Sequence, residues 1–202
     1  MLTGFGRTGI GAARSAASAP LYAGQIEGVT PDYLCLAKGL TGGYLPMAAT
    51  LTTDTVFQSF LGDYSEFRTF FHGHSYTANP LGASVANASL ALLQGAASFR
   101  ARQALERQLA EELKSLWALD AVGDIRQVGL VVGVELVRKQ RTREPFPLRD
   151  RAGIRVCSAM ARRGVLTRPI GNVVPLLPPY CTTPAQLRKM VGALHDAIAE
   201  TF

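Results

Sequence analysis

From residue 98 onward the apolar positions of the chain are strongly periodic. Ser98 opens a stretch in which Leu105, Leu109, Leu113, Leu116 and Trp117 recur at spacings of four, four, three and one. That period predicts an amphipathic helix with those side chains inward. Residues 127–137 alternate strictly, with Val128, Leu130, Val132, Val134 and Leu136 on one face, which is the period of a half-buried strand. Residues 138–151 are polar and proline-containing and read as a loop. Residues 152–163 have a helical pattern, and Gly164 follows as the stop. Residues 165–167 and 173–177 read as short strands. Thr183-Pro184-Ala185-Gln186 combines a cap hydroxyl, a first-turn proline and the returning amide of a capping box. A last helix starts there, with Leu187, Met190, Val191, Leu194 and Ile198 facing inward.

The first third is glycine-rich and less periodic. Tyr33-Leu34-Cys35-Leu36-Ala37 is an apolar run of buried-strand length that ends at Lys38 and is broken by Gly39-Leu40-Thr41-Gly42-Gly43. Residues 47–52 read as a second strand, and Asp54 as the cap of a short helix carrying Val56, Phe57, Phe60 and Leu61. Residues 69–79 have no regular period and form a loop. Pro80 opens a helix over 80–93, with Val85, Leu90 and Leu93 on related faces. Strands alternating with helices give an α/β class. Gly95-Ala96-Ala97-Ser98 marks a boundary between a domain over 1–97 and a smaller α+β domain over 98–202.

Composition narrows the function. With 202 residues, 48% apolar and 18% charged, the chain is ordinary globular material and not a disordered or collagen-like one. No apolar run approaches the roughly 20 residues that a membrane helix needs. Three cysteines (Cys35, Cys157, Cys181), without the layout of a secretory signal, point to a reducing cytoplasm and not to a disulfide framework. The net charge of +6 is carried by 21 basic residues, of which four are lysines. The arginines gather in 138–143 and 149–163 among acids and apolar residues. Aromatic stacking platforms are not interleaved with them, which argues against a nucleic-acid surface and for a solvated one serving, at most, small anions.

Several short patterns carry candidate chemistry. Gly4-Phe5-Gly6-Arg7-Thr8-Gly9 spells G-x-G-x-x-G, but only three residues precede it, too few for the strand that a dinucleotide site requires. His72 and His74, with His195 and scattered cysteines, fall short of a zinc set, so no metal site is expected. Lys38 is the only lysine in the first 113 positions. At the end of a buried strand, among small residues, burial would favour the neutral amine that condenses with a carbonyl. The competing reading is an ordinary surface lysine. Ser75-Tyr76-Thr77, just ahead of the Pro80 helix, offers hydroxyls and free amides suited to phosphate, or else a plain capping segment. Arg168-Pro169, before a Gly171-Asn172 turn, is a place for a guanidinium to hold a carboxylate by two parallel bonds.

Taken together these segments resemble the class III (omega) aminotransferases, pyridoxal-phosphate enzymes of fold type I. Thr3-Gly4-Phe5-Gly6-Arg7-Thr8-Gly9 is similar to the family's T-G-F-G-R-T-G, and Pro31 through Pro46 resembles the block around its Schiff-base lysine. His72-Gly73-His74-Ser75-Tyr76-Thr77-Ala78-Asn79-Pro80-Leu81-Gly82 resembles its cross-subunit phosphate loop. With Arg168-Pro169-Ile170-Gly171-Asn172 and Leu177-Pro178-Pro179-Tyr180, the wording is nearest the biotin-synthesis branch of the family. The resemblance implies that Lys38 holds pyridoxal 5'-phosphate and acts as base and acid in the proton shift. It implies that His74 and Ser75 bind the phosphate of a neighbouring subunit's cofactor and that Gly73 lines that subunit's substrate pocket. Arg168 would pair with the carboxylate of a keto substrate, 8-amino-7-oxononanoate, with S-adenosylmethionine, or lysine in some relatives, as amino donor. A homodimer with shared sites is the implied unit. An omega-aminotransferase of the amine or 4-aminobutyrate type, or a non-catalytic half-protein that needs a separate N-terminal partner, are the alternatives.

Two departures from the family pattern stand out. The aspartate that keeps the pyridine nitrogen protonated belongs on a strand before the T-G-F-G-R-T-G block, ahead of Met1. Residues 10–20 are longer than the family's link there and read as an inserted loop. The chain is therefore expected to be a C-terminal half, with a partial large-domain mixed sheet whose surfaces at 34–37 and 47–51 lack neighbours. A valine codon GTG read as a start would explain Met1. The DNA upstream is then expected to stay open and to encode Asp-Glu directly before position 1, and the 202-residue chain alone is expected not to transaminate. A stop codon directly upstream, together with an active purified chain, would show the opposite.

Overall fold

The structure, a computed structural model, describes Gly24 and residues 28–202, and its contacts divide the chain into two units between Phe99 and Arg100. Residues 3–9 and 10–20, which carry the first family block and the expected insertion, lie outside the described residues.

In the first unit β1 (Tyr33–Leu36) pairs antiparallel with β2 (Ala49–Thr52), Tyr33 opposite Thr52 and Leu36 opposite Ala49. The run at 33–37 does not form a buried strand. Its residues alternate between exposed and half-buried, and Ala37 falls outside the ladder. Among the described residues β1 and β2 pair only with each other, and a two-stranded ribbon has no second layer to cover it. Helix α1 (Asp54–Gln58) is capped by Thr53, whose hydroxyl accepts from the Val56 amide at 3.4 Å. Asp54 is its first helical residue, where a carboxylate favours the helix dipole, and Phe60 and Leu61 lie beyond its end. Helix α2 (Pro80–Gln94) starts with proline in the first turn, and the Asn79 side chain accepts from the Leu81 amide at 3.1 Å. Only Thr41, Gly82 and Ala86 are buried among the described residues of this unit.

The second unit has a dense core. From α3 (Ala96–Leu113) come Leu105, Leu109 and Leu113, all buried. The chain then tightens into a 3-10 turn over Lys114–Ala118. Leu116 stays fully buried, but the changed rotation per residue leaves Trp117 46% exposed instead of inward. The alternating stretch expected as one strand is a hairpin, β3 (Val122–Val128) and β4 (Val131–Lys139). Gly129 turns the chain at φ +59° with Leu130 beside it. Val128 pairs with Val131 and so shares the face opposite Val132, which is why it is exposed although its sequence phase matched the core.

β4 is the centre of an antiparallel sheet. β3 pairs along one edge; on the other, β5 (Glu144–Pro145) meets the Val137 end and β6 (Val173–Leu176) pairs from Glu135 to Val132. Over its inner face pack α3, α4 (Ala152–Arg162) and α5 (Pro184–Thr201), closing a cluster that includes Leu109, Val134, Leu136, Met160, Leu176, Leu194 and Ile198. Gly164 ends α4's turn at φ +77°, and both bonds of the capping box at Thr183 and Gln186 are formed. Residues 165–167 form no strand; the Thr167 hydroxyl instead donates to the Pro175 carbonyl at 2.7 Å, replacing a ladder by one side-chain tie. The arginine-rich stretches are held by surface ion pairs. Arg138 and Lys139 meet Glu144, and Arg163 and Arg162 both bond Glu200, holding its carboxyl below the usual range.

Cys157 is buried in α4, and burial alone pushes its thiol up to about 11, whereas Cys35 and Cys181 are exposed. A thiol reagent at pH 8 is expected to label Cys35 and Cys181 in the native chain and Cys157 only on unfolding. Because the folded thiol titrates above the unfolded one, the stability it carries is present below pH 9 and is lost as pH rises through 11. Rapid native labelling of all three thiols would contradict this burial.

Candidate active site

Lys38 leaves β1 through a tight turn. Ala37 is extended, and Lys38 then takes the left-handed conformation at φ +52°. For a residue with a Cβ that placement costs roughly 1–2 kcal/mol, so something nearby must hold it. The turn is laced by successive amide bonds, Leu40 to the Ala37 carbonyl, Thr41 to Lys38 and Gly42 to Gly39, at 3.2–3.3 Å. Gly42 and Gly43 follow at φ +62° and +85°, where the missing Cβ removes the strain. Two side chains complete it. Thr41, buried, donates to the Leu45 carbonyl at 2.6 Å, and Ser89 of α2 donates to the Gly39 carbonyl at 3.2 Å. Neither was singled out from the sequence. A serine in an Ala- and Leu-rich helix carries no pattern that reports a partner fifty positions away.

Lys38 itself is exposed among the described residues, and not buried at a strand end. The physical reason is the uncovered β1–β2 ribbon from which it emerges. Among the described residues no hydrogen bond or ion pair engages its amine.

Gly73, His74 and Ser75 lie together in one loop that folds back on itself. The His74 amide donates to the Thr77 hydroxyl at 3.0 Å, the Thr77 amide to the His74 carbonyl at 2.9 Å, and the Tyr76 amide to His74 Nδ1 at 3.1 Å. With Nδ1 accepting, the neutral ring carries its proton on Nε2. That N–H and the Ser75 hydroxyl have no protein partner among the described residues. Directly after the loop come Asn79 and α2, so one helix joins this loop at its start to the Lys38 turn at Ser89. No hydrogen bond joins Lys38 to the loop itself.

Arg168 belongs to the second unit. It is exposed, and no bond engages its guanidinium among the described residues. Its backbone is firmly placed. Thr167 is tied to Pro175, Ile170 bridges Val173, and the Asn172 side chain donates to the Phe146 carbonyl at 2.7 Å. The first turn of α4 presses on this segment at Gly153, where a Cβ would strike Pro169 at 2.6 Å and the Gly171 carbonyl. Nearby in sequence, Tyr180 lies under the buried Arg102 guanidinium, 5.3 Å from its ring centroid. Burial raises the Tyr180 hydroxyl, which Arg102 partly offsets, and burial lowers Arg102. Among the described residues no group of three or more His, Cys, Asp or Glu is placed to hold a metal ion.

The aminotransferase class-III family model matches residues 1–198. The chain belongs to the class III aminotransferases. It is 46% identical over 199 residues to the adenosylmethionine-8-amino-7-oxononanoate aminotransferase of Anoxybacillus flavithermus, an alignment covering 98% of this chain and 42% of that protein. The crystal structure of adenosylmethionine-8-amino-7-oxononanoate aminotransferase from Methanocaldococcus jannaschii superposes with a TM-score of 0.79 at 43% identity, covering 87% of this chain and 40% of that one. An (S)-enantioselective omega-transaminase from Thermomicrobium roseum gives 0.81 at 30% identity, over 99% and 42%. This class III chain thus spans about two fifths of the length of the curated relatives it matches.

Class III aminotransferases use pyridoxal phosphate, and the donor set of this chain fits that group. A primary amine on a braced turn, without a partner among the described residues, suits an aldehyde. A loop presenting a ring N–H and a hydroxyl, both without partners among the described residues, suits the acceptor-only oxygens of a phosphate.

Proposed function

We propose that this chain supplies the lysine-bearing part of an aminotransferase that converts 8-amino-7-oxononanoate to 7,8-diaminononanoate in biotin synthesis, with S-adenosylmethionine as amino donor. The observation that carries the reading is Lys38, an amine without a partner among the described residues, displayed in a left-handed turn that three amide bonds and two side-chain hydroxyls hold in place. The substrate assignment draws on the names of the curated relatives at 42–46% identity.

Pyridoxal phosphate, when bound, supplies an aldehyde that captures amines and a ring that draws electrons from the carbon undergoing transfer. The rest falls to side chains. Lys38 Nζ would hold that aldehyde, and its free amine would take and return the proton at the reacting carbon. His74 Nε2 and Ser75 Oγ donate to the phosphate in a second copy's site, and Gly73 leaves room for substrate beside it. Arg168 pairs its planar guanidinium with the keto acid's carboxylate. This division of labour makes the working unit a cytoplasmic homodimer, with residues 1–97 in its cofactor domain and 98–202 in the smaller one. Among the described residues no helix is long and apolar enough to cross a membrane.

In an assembly containing the remaining part of the enzyme, borohydride reduction is expected to fix the cofactor on Lys38. A reduced adduct mapped to Lys114, Lys139 or Lys189 would overturn the assignment. Arg168→Ala is expected to weaken the keto acid by about 30- to 150-fold, the worth of a charge-assisted bidentate pair of about 2–3 kcal/mol, and to affect S-adenosylmethionine far less. Equal losses for both substrates would point to misfolding instead.

A further inference from the structure

We propose that Ser89 is a positioning residue for Lys38, an inference that rests on the reading of Lys38 as the cofactor-bearing amine. Serines inside helices commonly turn back to the carbonyl four residues earlier in their own helix. Ser89, half-buried in α2, instead donates to the Gly39 carbonyl, which also accepts the Gly42 amide at 3.2 Å. It ties the Lys38 turn to another element. Two helical turns earlier, Gly82 is buried against Met47, whose sulfur would lie 3.4 Å from an added Cβ. Helix α2 therefore grips the segment after β1 at two points, Gly39 and Met47, and its own N-terminus carries the loop with His74 and Ser75.

The grip acts on a strained residue. At φ +52° Lys38 has extended and right-handed alternatives, and each would swing its Cα–Cβ bond to another direction. Left-handed placement is disfavoured by roughly 5- to 30-fold for a residue with a Cβ, and one hydrogen bond restores about fivefold. Ser89 is thus large enough to decide how much of the population presents the amine from this turn. Removing its hydroxyl costs the helix nothing, since alanine is the better helix former.

In an assembly containing the remaining part of the enzyme, the test compares the unaltered chain with Ser89→Ala, Ser89→Thr and, as a matched control on the same helix, Ser84→Ala. Pyridoxal phosphate is added at limiting concentration, reduced with borohydride, and the Lys38 peptide is quantified. Amide exchange at Thr41 and Gly42 is measured without cofactor. For Ser89→Ala we expect about fivefold less adduct at equal cofactor and about fivefold faster exchange at both amides, with Ser84→Ala unchanged and Ser89→Thr largely restored. Ser89→Ala matching Ser84→Ala in both readouts overturns the proposal. So does faster exchange with undiminished adduct, which leaves Ser89 a merely structural tie. Adduct loss without faster exchange overturns it too, because the effect then bypasses the turn. Absence of adduct on Lys38 in the unaltered chain, with fast exchange still confined to Ser89→Ala, sinks the reading of Lys38 and takes the positioning role with it.

Discussion

Burial on one face of β4 is the constraint on which the second unit depends. Val132, Val134 and Leu136 are almost entirely removed from water, and three helices close over them. A strand so placed fixes its neighbours' registers, because a slip of one residue would turn its apolar set toward solvent. β6 must then pair at 132–135, and its register sets where the preceding turn can run. Arg168 is exposed and has no partner among the described residues, yet its backbone inherits that order through the Thr167 tie and the packing at Gly153. A cation is thereby displayed on a backbone with little freedom to move.

The first unit works differently. With Thr41, Gly82 and Ala86 as its buried residues among those described, it has little hydrophobic burial to position anything. Placement comes from polar ties: the amide bonds of the Lys38 turn, the Thr41 hydroxyl on Leu45, and Ser89 on Gly39. Each such bond is worth about 1 kcal/mol net, comparable to the cost of one left-handed lysine. The balance is close, so single hydroxyls matter here more than in the apolar core. Meanwhile Tyr64, Phe67, Phe71 and Tyr76 remain largely exposed.

Both units show the same form, a polar side chain without a partner among the described residues on a backbone that is well held. For Lys38 the hold is a turn, for His74 a loop closed by Thr77, and for Arg168 a bridge and a helix end. The main chain is fixed in advance at each, while the exposed side chain keeps its rotamers.

By itself the sequence determined the family, through the blocks around Lys38 and His74. It also determined most helices, because their periods and caps are local properties: Thr183 and Gln186 sit three residues apart, and Pro80 announces its own helix. What it misjudged was set by partners distant in the chain. The apolarity of Tyr33–Leu36 alone reads as a buried strand, because burial depends on a covering layer that apolarity does not report; the exposed ribbon fits the separate expectation that surfaces at 34–37 and 47–51 lack neighbours. Val128 kept the alternating phase of β4, but its cross-strand partner Val131 placed it outward. Trp117 continued a helical stripe that a 3-10 turn rotated away. The tertiary structure alone decided that Lys38 stands in a left-handed turn and that Ser89 reaches it. A hydrogen bond across fifty residues has no local signature; it exists only once α2 has docked on the turn.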